Sequence, residues 1–206
     1  MAVPWPSIFG NDRPVEVEIG PGTGTFFLHT ARRSPDVNLF GIERSNSRAA
    51  ALTRAVADQG LHNARVLCAD AGCVIENLVP AASVRAYHLY FPDPWWKRRH
   101  HRRRLLTDAL AAALARTLVP GGRLHVATDV PAVFERALRT LGAVPAFVRV
   151  ADVPSPRTIA TVFERKGLRR GAHIHEATFQ NVLMAKGPAA GQVSSAAPMT
   201  PAESPS

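Results

Sequence analysis

His88 to Leu106 reads HLYFPDPWWKRRHHRRRLL. An apolar run ends at Asp93 between two prolines, two tryptophans follow, and Lys97 to Arg104 then carries six Lys/Arg and two His in eight residues. Each proline biases the residue before it toward extended backbone, so Phe91 and Asp93 are not expected to be helical. The strand Val84 to Phe91 should stop here and leave Asp93 at its end. Beyond the basic run, Leu105 to Leu118 (LLTDALAAALARTL) is rich in Ala and Leu with apolar residues on one face. That pattern predicts an amphipathic helix, with Arg102, Arg103 and Arg104 at its first turn. A helix N-terminus carries partial positive charge and free N–H groups, so cations gain nothing there unless an anion occupies the site. A run of one sign, set against a helix dipole and beside paired tryptophans, reads as a phosphate-binding surface.

The chain outside this run is moderate in charge. Six of the nine net positive charges lie between Lys97 and Arg104, which argues for one binding face. The run lacks the broad apolar face of a membrane-surface helix, so nucleic acid is the expected partner. The 206 residues suit one domain with a substantial core. No window approaches twenty consecutive apolar residues, and MAVPWPSIFGNDRP lacks a charged-then-apolar leader pattern. The expectation is a soluble, cytoplasmic protein with no membrane association, as a monomer or a homodimer. Cys68 and Cys73 are too few and wrongly spaced for a redox pair or zinc cluster and are expected as packed thiols. The adjacent His100 and His101 point in different directions with no third ligand in evidence, so no metal site is expected.

Residues 1–14 hold three prolines and read as an irregular arm, 15–186 as the folded domain, and 187–206, poor in charge and rich in Ala, Ser, Pro and Gly, as a disordered tail. Val15 to Ile19 (VEVEI) alternates as a strand does, Gly20-Pro-Gly22-Thr-Gly24 follows, and Thr25 to Arg33 is a short helix. Strand, glycine loop and helix form the nucleotide-cradling unit of open α/β sheets. Further strands are predicted at Asn38 to Ile42, Ala64 to Cys68 and Arg123 to Ala127. Helices are predicted at Ser47 to Gln59 and from Pro131, and Pro120-Gly121-Gly122 should end the helix before the fifth strand. Ala146 to Val150 and Glu176 to Ala185 are candidate closing strands. The fold class is therefore a doubly wound, mostly parallel α/β sheet with helices on both faces. Each of the five parallel strands carries a carboxylate at its end: Glu18, Glu43, Asp70, Asp93 and Asp129. Acids often cap helices singly, but five on one edge make a site.

Thr25 stands where the dinucleotide fingerprint wants glycine or alanine, and the acidic lining would repel a pyrophosphate. S-adenosylmethionine, with its adenosine, sulfonium and amino-acid tail, suits carboxylates better. Glu43, 23 residues after Gly20, is placed to meet ribose hydroxyls, and Asp70-Ala71 to grip adenine. Glu18 either contacts the ligand or orders the loop. Trp95 and Trp96 either stack on a base or belong to the core.

In order and spacing, VEVEIGPGTG, GIERS, NARVLCADA, LYFPDPWWKRRHHRRRL, LVPGGRLHVATD and TVFERKG resemble the bacterial tRNA (guanine-N7)-methyltransferases, over about residues 15–185. The resemblance implies a seven-stranded Rossmann-like methyltransferase sheet using S-adenosylmethionine to methylate the variable-loop guanine at tRNA position 46. It implies that Gly20, Gly22, Gly24, Glu18, Glu43, Asp70, Ala71 and Asp93 belong to the cofactor and active site, with Asp93 catalytic. It matches Lys97, Asp129, Thr161 and Glu164 to substrate-binding positions, while Arg98, Arg99, Arg102, Arg103 and Arg104 would hold the tRNA backbone. Alternatives are a small-molecule S-adenosylmethionine methyltransferase and a tRNA-binding protein whose enzyme site has decayed. The sequence departs from the family at Pro21, Thr23 and Trp96. Arg157 lies one residue too far upstream of the Thr-x-Phe-Glu segment, with Thr158 in place of proline, and so has no assigned role.

Overall fold

The computed structural model describes residues 4–93, 106–151, 153, 156, 157, 164 and 171–183. Thirteen elements follow one another in these residues: α1 (Trp5–Phe9), β1 (Val15–Ile19), α2 (Thr25–Arg33), β2 (Asn38–Glu43), α3 (Asn46–Asp58), β3 (Ala64–Cys68), α4 (Ala71–Asn77), β4 (Val84–Tyr90), α5 (Asp108–Thr117), β5 (Leu118–Thr128), α6 (Pro131–Gly142), β6 (Phe147–Val150) and β7 (His175–Asn181). The strands form one seven-stranded sheet in the order β3-β2-β1-β4-β5-β7-β6. The first five strands run parallel and β7 lies antiparallel to both β5 and β6. Strand order reverses between β1 and β4, and open α/β sheets bind ligands outside the carboxyl ends of the strands at such a switch point.

Both faces of β1 are buried, because it is a central strand with helices on either side. Val15, Val17 and Ile19 join the large core cluster with Ala71, Val74, Leu110 and Leu114 from α4 and α5. On the other face, Phe27, Leu39, Leu52 and Val56 make a second cluster under α2 and α3. The alternation of VEVEI thus separates one packed layer from another, and Glu16 and Glu18, at 8% and 4% exposure, are interior groups.

Several local expectations differ from the structure. Within the N-terminal arm, Trp5–Phe9 is a short helix whose Trp5 and Phe9 are buried; Trp5 packs edge-on against Phe40 and donates from Nε1 to Ser83 Oγ at 3.1 Å. The two aromatics, four apart on one helix face, outweigh the prolines around them. Helix α5 begins at Asp108, since Thr107 accepts the Leu110 N–H and acts as its cap. The first turn expected for Arg102 to Arg104 therefore holds Asp108 instead, and those arginines lie outside the described residues. Strand β5 starts at Leu118, directly after α5, so Pro120-Gly121-Gly122 falls inside it at a register break opposite Val84 and Ala86. A Cβ on Gly122 would lie 2.8 Å from Val119 O and 3.0 Å from Arg85 O, which fixes glycine at that close approach. Cys68 and Cys73 are exposed, not packed.

Candidate active site

The glycine loop leaves β1 at the switch point. Gly20, Gly22 and Gly24 all have positive φ, at 71°, 58° and 76°, a backbone that residues with a Cβ rarely adopt. A Cβ on Gly24 would also meet Leu52 Cδ1 at 2.2 Å. Glu43, ending β2, accepts the Gly22 N–H on Oε2 at 2.9 Å and the Ser45 N–H on Oε1 at 2.8 Å. The carboxylate thus orders the loop, and each oxygen retains a lone pair for a hydroxyl donor.

Glu18 faces the same layer as Glu43, since it pairs across the sheet with Gly41, two residues before Glu43. Its Oε2 is buried with no hydrogen-bond partner among the described residues. Burial, with the Glu43 charge adding to it, pushes the Glu18 carboxyl up to about 8. Two carboxylates beside a loop of tight turns disfavour phosphate and favour a ligand bearing cationic and hydroxyl groups.

Asp70 caps α4, accepting the Cys73 N–H at 3.1 Å, so Ala71 follows as the first residue of that helix. Asp93 stands exposed three residues past β4, and Asp129 follows β5 directly. Because β1 to β5 are parallel, Glu18, Glu43, Asp70, Asp93 and Asp129 all reach one edge of the sheet. Lys97, Arg98, Arg99, Arg102, Arg103, Arg104 and Thr161 lie outside the described residues, as do Trp95 and Trp96. Glu164 is described and accepts from Arg157 Nη1 at 2.7 Å.

A buried polar chain adjoins this edge. One row of residues crosses the sheet as Glu18, His88, His125 and Thr178. His88 joins Glu16 Oε2 through Nε2 and the Tyr90 hydroxyl through Nδ1, both at 2.9 Å. A carboxylate only accepts, so Nε2 carries the proton toward Glu16. Burial alone would raise the Glu16 carboxyl, but hydrogen bonds and charge from His88 and Arg85 hold it down at about 2. The His125 ring stacks on His88 with centroids 5.4 Å apart. Burial, with the His88 charge adding to it, takes its imidazole down to about 3. Tyr90, His125, Arg157, Glu176 and Thr178 line a cleft of about 440 Å³ beside the end of β4.

Sequence reasoning missed Tyr90 and Glu176, and it named Arg157 without a role. Phe91 also departs from the extended backbone expected of a residue before proline: its φ is +50°. Its N–H still donates to Ala127 O at 2.8 Å, so β4 keeps its hydrogen bonding while the side chain turns.

A family described as "Putative methyltransferase" matches residues 12–177. The chain is 39% identical over 179 residues to the tRNA (guanine-N(7)-)-methyltransferase of Burkholderia cenocepacia (strain HI2424), covering 85% of this chain and 70% of that protein. The chain belongs to the tRNA (guanine-N7)-methyltransferase family. The relative of the same description from Aliivibrio fischeri (strain MJ11) is 35% identical over 181 residues, or 85% of this chain and 76% of that protein. Among solved structures, the aminoglycoside resistance methyltransferase NpmB1 superposes with a TM-score of 0.56 at 20% identity, covering 86% of this chain and 92% of that one. A SAM-dependent methyltransferase from Aquifex aeolicus gives 0.57 at 11%, covering 84% and 85%. These likenesses bear out the doubly wound methyltransferase sheet expected from the sequence. No helix among the described residues is long and apolar enough to cross a membrane. No group of three His, Cys, Asp or Glu there could hold a metal ion.

Proposed function

We propose that this methyltransferase transfers a methyl group from S-adenosylmethionine to N7 of the variable-loop guanine of tRNA, at position 46. The observation that carries the reading is the buried Glu18 carboxyl beside the glycine loop, whose Oε2 has no partner among the described residues, on the same edge as the Asp93 turn. Family membership selects the acceptor; the acidic lining supports a phosphate-free, cationic donor.

S-adenosylmethionine, when bound, supplies a methyl group on a sulfonium centre. Gly20 to Gly24 would cradle it, Glu18 would face its cationic part, Glu43 would receive ribose hydroxyls, and Asp70 with Ala71 would grip adenine. Guanine N7 has an in-plane lone pair and no proton to lose, so the site needs no strong base. The work left to the protein is alignment and stabilisation of positive charge developing on the purine. Asp93 accepts hydrogen bonds from the N1–H and N2 edge and offsets that charge. By the family pattern, Asp129, Thr161 and Glu164 would contact the substrate. Lys97, Arg98, Arg99 and Arg102 to Arg104 neutralise backbone phosphates, which fix register without reading sequence.

Incubating the protein with labelled S-adenosylmethionine and unmodified tRNA, then mapping N7-methylguanine, tests the reading. One labelled guanine in the variable loop is expected. Label confined to a small molecule, with no salt-dependent tRNA affinity, would select the small-molecule alternative.

A further inference from the structure

Arg157, in the segment between β6 and β7, is a buried cation that meets Glu164, Glu176, Tyr90 and Phe91 among the described residues. Its side chain is 4% exposed. Nη1 donates to Glu164 at 2.7 Å and Nη2 is ion-paired with Glu176 of β7. The guanidinium carbon lies 5.3 Å from the Tyr90 ring centroid and 5.6 Å from that of Phe91.

The last pair of distances is unexpected for a strand. Consecutive strand side chains point to opposite faces, so one cation should not meet the rings of residues 90 and 91 together. The left-handed backbone at Phe91 removes the alternation: its ring packs with Phe26, Tyr90 and Ala127. Such a φ is strained for a residue with a bulky side chain and persists only where the surroundings over-determine it. Arg157 is suited to do so, because a guanidinium offers a planar face to aromatic rings and a fork of donors to carboxylates. A lysine offers neither.

We propose that Arg157 is a positioning residue that holds the left-handed turn at Phe91 and so sets where Asp93, two residues on, stands at the edge of the sheet. The same side chain holds Glu164, so one guanidinium ties Glu164 and β7 to the rings at the end of β4. The proposal rests on the reading of Asp93 given above. A mere staple between the crossover and β7 would affect stability; a positioning residue affects turnover, and its loss is offset by a residue that favours left-handed backbone.

The test uses Arg157→Lys, which keeps the charge, alone and combined with Phe91→Asn, since asparagine adopts positive φ more readily. Amide hydrogen exchange of Phe91 is followed against that of Leu89, with kcat and KM for unmodified tRNA and the dissociation constant for S-adenosylmethionine. In Arg157→Lys, exchange at Phe91 should rise about tenfold or more with Leu89 unchanged, marking a local opening. Turnover should fall by roughly tenfold, with KM and cofactor affinity within about twofold, as for a group acting on the transition state alone. The double variant should recover several-fold of the lost turnover. Unchanged exchange and turnover would overturn the proposal, as would a turnover loss that asparagine at 91 does not reduce, or exchange rising equally at Leu89. If the wild type proves not to methylate tRNA, the reading of function falls, while the exchange data still decide whether Arg157 holds the turn.

Discussion

Glu16 and Glu18 stand two residues apart on the same face of one strand and are equally interior in sequence pattern, yet their surroundings treat them oppositely. Glu16, toward the amino end of β1, is satisfied by Arg85 and His88 and is held at about 2. Glu18, at the carboxyl end, has an oxygen with no partner among the described residues and sits at about 8. The first is a structural group that stays ionised. The second, held protonated at neutral pH, has an oxygen left over for a ligand, and a buried polar atom without a partner costs stability. The contrast locates function at the carboxyl end of the parallel strands and fold stability behind it.

Changes on the two sides should therefore separate activity from stability. The largest effect is expected at the working edge: Asp93→Ala should lower turnover by about 10²- to 10³-fold, as loss of one preorganised electrostatic group does, with tRNA affinity within a few fold. Steady-state kinetics and filter binding check both halves. Behind the edge, Glu16→Ala should cost roughly 3 kcal/mol in denaturant unfolding, because it strands His88 and Arg85, while cofactor affinity hardly moves. Glu18→Gln should weaken S-adenosylmethionine by about tenfold above pH 8, the magnitude of one charge-assisted hydrogen bond, in calorimetric titration.

The pH dependence of ligand-free stability separates the two glutamates by sign. Glu16 has a folded value below its ordinary one, so its stabilisation is present above pH 4.5 and is lost as pH falls toward 2. His125, buried neutral, adds to this acid-side loss between 6.5 and 3, where the unfolded chain takes up a proton that the folded one does not. Glu18 has a raised folded value, so stability declines as pH rises from 4.5 through 8. Thermal unfolding from pH 3 to 9 should show the alkaline decline flattened in Glu18→Gln and the acid decline reduced in Glu16→Gln.

Much of this was legible in the chain. Glycines at 20, 22 and 24 announced a loop of positive φ, and VEVEI, NLFGI and ARVLC announced parallel strands whose ends bring five carboxylates to one edge. What the sequence hid were facts that depend on a second layer. VEVEI reads identically whether its acids meet water or α2, so the burial of Glu16 and Glu18 required knowing that β1 is central. The left-handed Phe91 runs against the local preference of a residue before proline, and its ring lies against Arg157, a contact between distant parts of the chain that local sequence does not show. Arg157 stood out in the sequence only as an arginine out of register with the family pattern; its role stayed hidden, since its contacts at 90, 91, 164 and 176 are scattered along the chain and meet only once β7 has turned back beside β5.

The central claim is that Glu18 is held neutral, with Oε2 unpartnered among the described residues, for a cationic ligand, and proton release on binding measures it most directly. Titration of S-adenosylmethionine at pH 7 in two buffers of different ionisation enthalpy should reveal close to one proton released by the wild type, as a carboxyl near 8 ionises against the ligand, and none by Glu18→Gln. A heat independent of buffer, or the same release from both proteins, would contradict it.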